Sequence, residues 1–138
     1  MVLHNGLMAD PTNPFTRAIK AITQKGSKKL TDHDYEERDR LEWEAGLYWD
    51  ESEGIVIPSD NIERCIQLGA QKSRIGKDVQ AAVFCAETQV AVKYDGPKDK
   101  DKLFADARFT LRKGVKVQQS RIIRLRPMIP TGWKLAFT

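Results

Sequence analysis

The residues whose types and spacing could do chemistry are basic. Arg108, Arg112, Lys113, Lys116, Arg121, Arg124, Arg126 and Lys134 fall between positions 107 and 138, a stretch without one Asp or Glu. Cations at that density hold phosphate oxygens and release counterions when they do, so binding of this kind is steeply salt-dependent. Read as one strand, Val115 to Arg126 places Val115, Val117, Gln119, Arg121, Ile123 and Leu125 on one face. Lys116, Gln118, Ser120, Ile122, Arg124 and Arg126 then lie on the other, which is polar and positive. Lys113 and Lys134 are close in sequence, and Trp133 at the edge supplies a ring on which an exposed base can stack. The candidate surface for nucleic acid or another partner is therefore Lys113, Lys116, Arg124, Arg126, Trp133 and Lys134.

A second group has the opposite sign. Residues 32–63 hold twelve acids against Arg38 and Arg40, a net charge of −10 inside a chain whose total is only +4. Three fates are open to them. An acidic helix lying across the basic strands would neutralise both, and Arg121, on the apolar face of the strand reading, would then find a carboxylate partner from 32–63. A solvated helix face would pair Asp34 with Arg38 and Glu36 with Arg40 at i,i+4 spacing. An exposed anionic surface of Asp34, Glu37, Glu44, Asp50, Glu51 and Glu53 would instead capture a basic protein.

Other chemistries find little support. His4 and His33 lie in polar surroundings and Cys65 and Cys85 in apolar runs, which is no zinc spacing. Asp32-His33-Asp34 and the acids from Asp95 to Asp101 lack the glycine and distant glutamate of a calcium loop. Gly69 to Lys77 ends in Gly-Lys, but six residues separate its glycines and Asp78 stands where a phosphate loop needs a hydroxyl. Neither a Gly-x-Ser-x-Gly elbow nor a Cys/His nucleophile pair is present. The expectation is a non-enzymatic protein with no cofactor and no metal. Two cysteines in apolar runs suggest buried thiols and a reducing compartment, and no window approaches the roughly 18 apolar residues of a membrane span. A cytoplasmic protein follows.

The elements that must position these groups imply a single α+β domain over 1–138, with a mainly helical layer at 1–78 and mainly strands at 79–138. Asn13-Pro14 caps a helix with Phe15, Ala18, Ile19 and Ile22 inward. Thr31 with Asp34 opens a second helix that stops at Gly46 and turns Tyr35, Leu41, Ala45 and Tyr48 inward. The polar run Asp50 to Gly54 breaks a strand pair between Trp49 and Ile55. Pro58-Ser59 opens a third helix with Ile62, Cys65, Ile66 and Leu68 apolar. Val79 to Cys85 and Gln89 to Lys93 read as a hairpin, a partly helical connector runs from Lys98 to Ala107, and Val115 to Met128 is the longest strand signal. Trp133 to Phe137 would be a last strand.

Leu3-His4-Asn5-Gly6, Asn13-Pro14-Phe15, Leu41 to Tyr48, Tyr94-Asp95-Gly96-Pro97 and Arg124 to Pro130 followed by Trp133 resemble, in order and spacing, a family of small proteins of tailed bacteriophages and prophages. Members continue past the final Trp to close a ferredoxin-like sheet. This chain is similar to a C-terminally short version, so the resemblance implies an incomplete sheet whose edge strand is paired by a partner, by another copy or by a rearrangement. It implies a location in the infected bacterial cell and transfers no activity. Three functions fit: a phage-type accessory protein binding nucleic acid through the basic strands, a counter-defence inhibitor of the anti-CRISPR kind binding a host effector protein, or a virion assembly component.

Overall fold

A computed structural model describes residues 1–26, 29–117 and 120–138, with the backbone alone at Val117 and Ser120. The fold is α+β: helices dominate the first half, and every strand pair is antiparallel. The described residues cluster into two compact units, residues 1–47 with 96–131, and residues 48–95 with 132–138.

The first unit begins with a 3₁₀ turn, Gly6–Ala9, and helix α1, Pro14–Thr23. The Asn13 side chain accepts the Phe15 N–H and Pro14 occupies the first turn, so both expected start signals operate. Helix α2, Asp32–Ala45, opens with a reciprocal capping box between Thr31 and Asp34 and ends at Gly46. Helix α5, Lys100–Ala105, lies within the connector and leads through the 3₁₀ turn Ala107–Phe109 into strands β4, Thr110–Val117, and β5, Ser120–Pro127. Leu3, Ile19, Ile22, Trp43, Leu47, Leu103, Phe109 and Ile129 form its core. Trp43 sits at the centre, donating its indole N–H to the Phe109 carbonyl at 3.0 Å and meeting Phe104 edge to face at 5.4 Å.

The second unit holds β1, Trp49–Asp50, β2, Gly54–Pro58, and β3, Gln89–Ala91, in the order β1-β2-β3. Trp49 stands opposite Ile55 as the sequence implies, and Gly54 closes the turn at φ 79°, a conformation glycine adopts without Cβ strain. Helices α3, Ser59–Gln71, and α4, Gly76–Ala82, pack on each other. Ile55, Val56, Ile57, Ile62, Val90 and Val92 are its buried residues.

Several expectations are corrected. Val79 to Ala82 belong to helix α4, and β3 pairs with β2; Gln80, Ala81 and Ala82 are adequate helix formers, and a short apolar run does not distinguish the two states. Among the described residues the strands therefore fall in two sheets, not one. Val115 to Met128 is no single strand, because the chain reverses between Val117 and Ser120. Trp133 to Phe137 contributes one bridge, Lys93 with Lys134, instead of a strand. On α3 only Ile62 is buried, leaving Cys65, Ile66 and Leu68 exposed, and Cys85 is half-buried. Among the described residues no helix is long and apolar enough to cross a membrane.

The end of α2 approaches the end of β5 closely: a Cβ at Gly46 would lie 2.7 Å from Cδ of the buried Pro127 ring. Gly46→Ala must displace a rigid ring, an overpacking cost of about 1–3 kcal/mol. Urea unfolding should show a lower midpoint with an unchanged slope; an unaltered midpoint would mean that the two ends are not held together.

Candidate nucleic-acid interface

The reversal between β4 and β5 redistributes the basic residues. The register pairs Lys113 with Arg124, Val115 with Ile122 and Lys116 with Arg121, so odd positions of β4 share a face with even positions of β5. Leu111, Lys113, Val115, Ile122, Arg124 and Arg126 are on one face, while Arg112, Gly114, Lys116, Arg121, Ile123 and Leu125 are on the other. Apart from the exposed Lys113, the first face is half-buried; Arg112, Gly114, Lys116, Arg121 and Ile123 of the second are exposed. Lys116 is thus separated from Arg124 and Arg126, with which the single-strand reading grouped it. Arg121, expected to be buried, faces solvent.

Burial of the first face is governed by α2, which packs against β5. The inner side of α2 includes the expected Ala45 but not the expected Tyr35. It carries Asp39, Glu42, Trp43 and Ala45, and Tyr35 is exposed. Two carboxylates are tolerated there because the hairpin supplies counter-ions: Arg112 bonds Asp39, and Arg124 bonds Glu42. Arg38 adds a 2.9 Å bond to Asp39. The i,i+4 pairs read from the sequence do not form, since Asp34 is taken by Lys25 at 2.5 Å and Arg40 by Asp101.

The six expected binding residues accordingly have different surroundings. Lys113 and Lys116 are exposed, Arg126 is half-buried, and none of the three forms an ion pair among the described residues; Arg124 is committed to Glu42. Trp133 and Lys134 are exposed in the second unit. Arg121 joins Lys113 and Lys116 as an exposed cation on the hairpin, and it too is without an ion pair there. The available signal for it was the polar interruption Gln118-Gln119-Ser120 in a run of β-formers. Gln118 and Gln119 themselves lie outside the described residues.

The acidic alternative surface is not assembled as one patch. Asp34 is buried, Glu37 is exposed, and Glu44 is half-buried beside Lys100 at 3.8 Å. Asp50, Glu51 and Glu53 are in the second unit. There the Asp50 carboxylate accepts bonds from Ser52, Glu53 and Gln89, which hold it below the ordinary carboxylate range, Ser52 contributing most. Its role is to fix the turn.

The chain matches no protein-family model, no curated protein and no solved structure. Its chemistry must be read from its own geometry.

Two predictions follow from the charges around α2. Arg124→Ala leaves a buried carboxylate without its counter-ion. Because the guanidinium is partly in water, the loss should be about 2 kcal/mol, short of the roughly 3–5 kcal/mol of a fully buried pair. Arg124→Leu combined with Glu42→Leu should cost less than Arg124→Ala alone; equal or greater loss in chemical denaturation would contradict this account. Asp34 is held well below its ordinary value, first by Lys25 and then by the N–H and hydroxyl of Thr31. A depressed folded-state pKa stabilises fully above the ordinary 3.8 and is lost as pH falls through the folded-state value. Asp34→Asn should therefore flatten the decline in stability below about pH 4. An acid limb as steep as in the parent chain would assign that decline to other groups.

Proposed function

We propose that the protein is a non-enzymatic accessory protein, of the phage type it resembles, that binds nucleic acid through the β4–β5 hairpin. The observation that supports this most is the exposed hairpin surface itself. Lys116 and Arg121 stand together on one face of a two-stranded ribbon and Lys113 is exposed on the other, none with an ion pair among the described residues, while Arg112 and Arg124 fasten the same ribbon to α2. An anchored ribbon presents its cations with little loss of conformational freedom on binding, and a two-stranded ribbon is narrow enough to enter a nucleic-acid groove. Charge contacts of this kind set affinity and register without reading sequence.

A mobility-shift titration tests the reading. Affinity should fall steeply between about 50 and 200 mM salt, and Lys113→Glu with Lys116→Glu should weaken binding uniformly across sequences and reduce the salt slope by about two. Tight binding that ignores both substitutions and salt would remove the hairpin from the interface.

A second reading, inhibition of a host effector protein, is favoured by the second unit. Phe84 is 79% exposed, with Val83, Ile75, Leu68 and Ile66 also exposed, and apolar surface of this kind more often meets protein than phosphate. Pull-down from nuclease-treated host lysate distinguishes the readings: a stoichiometric host protein supports this one, and recovery of nucleic acid alone in an untreated lysate supports the first.

A further inference from the structure

The exposed face of the β4–β5 hairpin has at its centre a glycine that the fold itself does not call for. Gly114 stands in the interior of β4, opposite Ile123 of β5, in a ladder that pairs every residue from Thr110 with Pro127 to Val117 with Ser120 and so contains no bulge. Its φ is not in the positive range, and a Cβ built on it would meet no atom within 4 Å. Neither backbone conformation nor internal packing therefore requires glycine, which weakens a strand interior. In a strand without a bulge, such a glycine marks the close approach of another molecule. Ile123 across from it is 53% exposed. An apolar side chain thus projects into water from a face that carries Lys116 and Arg121 on one side of it and Arg112 on the other.

The ion pairs of the hairpin use Arg112 and Arg124, and Lys116 and Arg121 form none among the described residues. A partner for this face brings negative charge to those two cations and a small apolar group to Ile123, and it admits a ribbon of two strands about 4.8 Å apart. The major groove of duplex DNA, about 12 Å wide, admits such a ribbon, is walled by phosphates and exposes one apolar group on its floor, the thymine C5-methyl. We propose that the hairpin lies in the major groove of duplex DNA with this face down, Lys116 and Arg121 reaching phosphates and Ile123 resting on a thymine methyl, while the bare backbone at Gly114 lets the base edges come close. A second copy of the chain meeting this face would set like charges against one another. An RNA duplex offers a major groove too deep and narrow for side chains to read. The inference rests on the hairpin reading and deepens it: the cations set affinity without reading sequence, and Ile123 adds a preference for thymine.

The test is fluorescence anisotropy titration of the intact chain at low salt with a duplex of alternating A·T pairs and with the same duplex carrying deoxyuridine for every thymine. The thymine duplex should bind about fourfold tighter, the effect of burying one methyl group. Ile123→Ala, at an exposed position, should bring the two affinities to within about 1.5-fold and leave the salt dependence in place. Gly114→Thr puts a β-branched side chain into open space, so its urea midpoint should equal or exceed that of the parent chain. Its duplex binding should nonetheless weaken by at least about tenfold, as the base edges are held away from the ribbon. Equal affinity of the parent chain for the two duplexes, a thymine preference that persists in Ile123→Ala, or full binding by Gly114→Thr would overturn the inference. A lowered midpoint for Gly114→Thr would do so too, by assigning the glycine to the fold, as would tighter binding of single strands or of polyglutamate than of the duplex. If duplexes bind in a salt-dependent manner without distinguishing thymine from uracil, the groove assignment alone falls. If no nucleic acid binds at low salt, the hairpin reading falls with it.

Discussion

Asp39 and Glu42 are carboxylates on the inner face of a helix, and the first unit depends on what stands across from them. Taking two charges out of water is expensive unless each meets a counter-ion in good geometry. Arg112 of β4 and Arg124 of β5 meet that demand, one from each strand. The helix thereby selects which strands lie on it and in which register, a specification that an apolar stripe alone would leave looser. Apolar packing around Trp43 then supplies non-directional stabilisation about the same junction, with Phe104 against the indole and the Phe109 carbonyl accepting its N–H.

This junction also explains what was legible in the sequence and what was not. Helix starts were legible because capping is local: Asn13 with Pro14 and Thr31 with Asp34 act within one turn of chain. The Asp50–Gly54 turn was legible for the same reason. The inner face of α2 was not, because hydrophobic periodicity assumes that buried positions are apolar, and here the decisive contacts come from residues more than seventy positions away. Segregation of acidic and basic residues along the chain hinted at internal pairing, and Arg124 with Glu42 realises it in part. It did not indicate which cations would be left over.

The candidate site was legible as a composition and illegible as a geometry. Eight basic residues in a stretch without acids mark a phosphate-seeking surface whatever the fold. Their allocation to two faces depends on where the strand reverses, and a two-residue period is unforgiving about that.

The pairing of odd positions in β4 with even positions in β5 has a consequence for how this chain can change over time. A slip of one residue in the register of β5 against β4 would reverse the parity on one strand. If β4 kept its register with α2, the side chains of β5 would change faces, so that Arg124 would give up its place opposite Lys113 and Arg121 would come onto the face that now carries Arg124. Point substitutions can adjust the charges one at a time, but a slip here exchanges anchor and contact residues in one step.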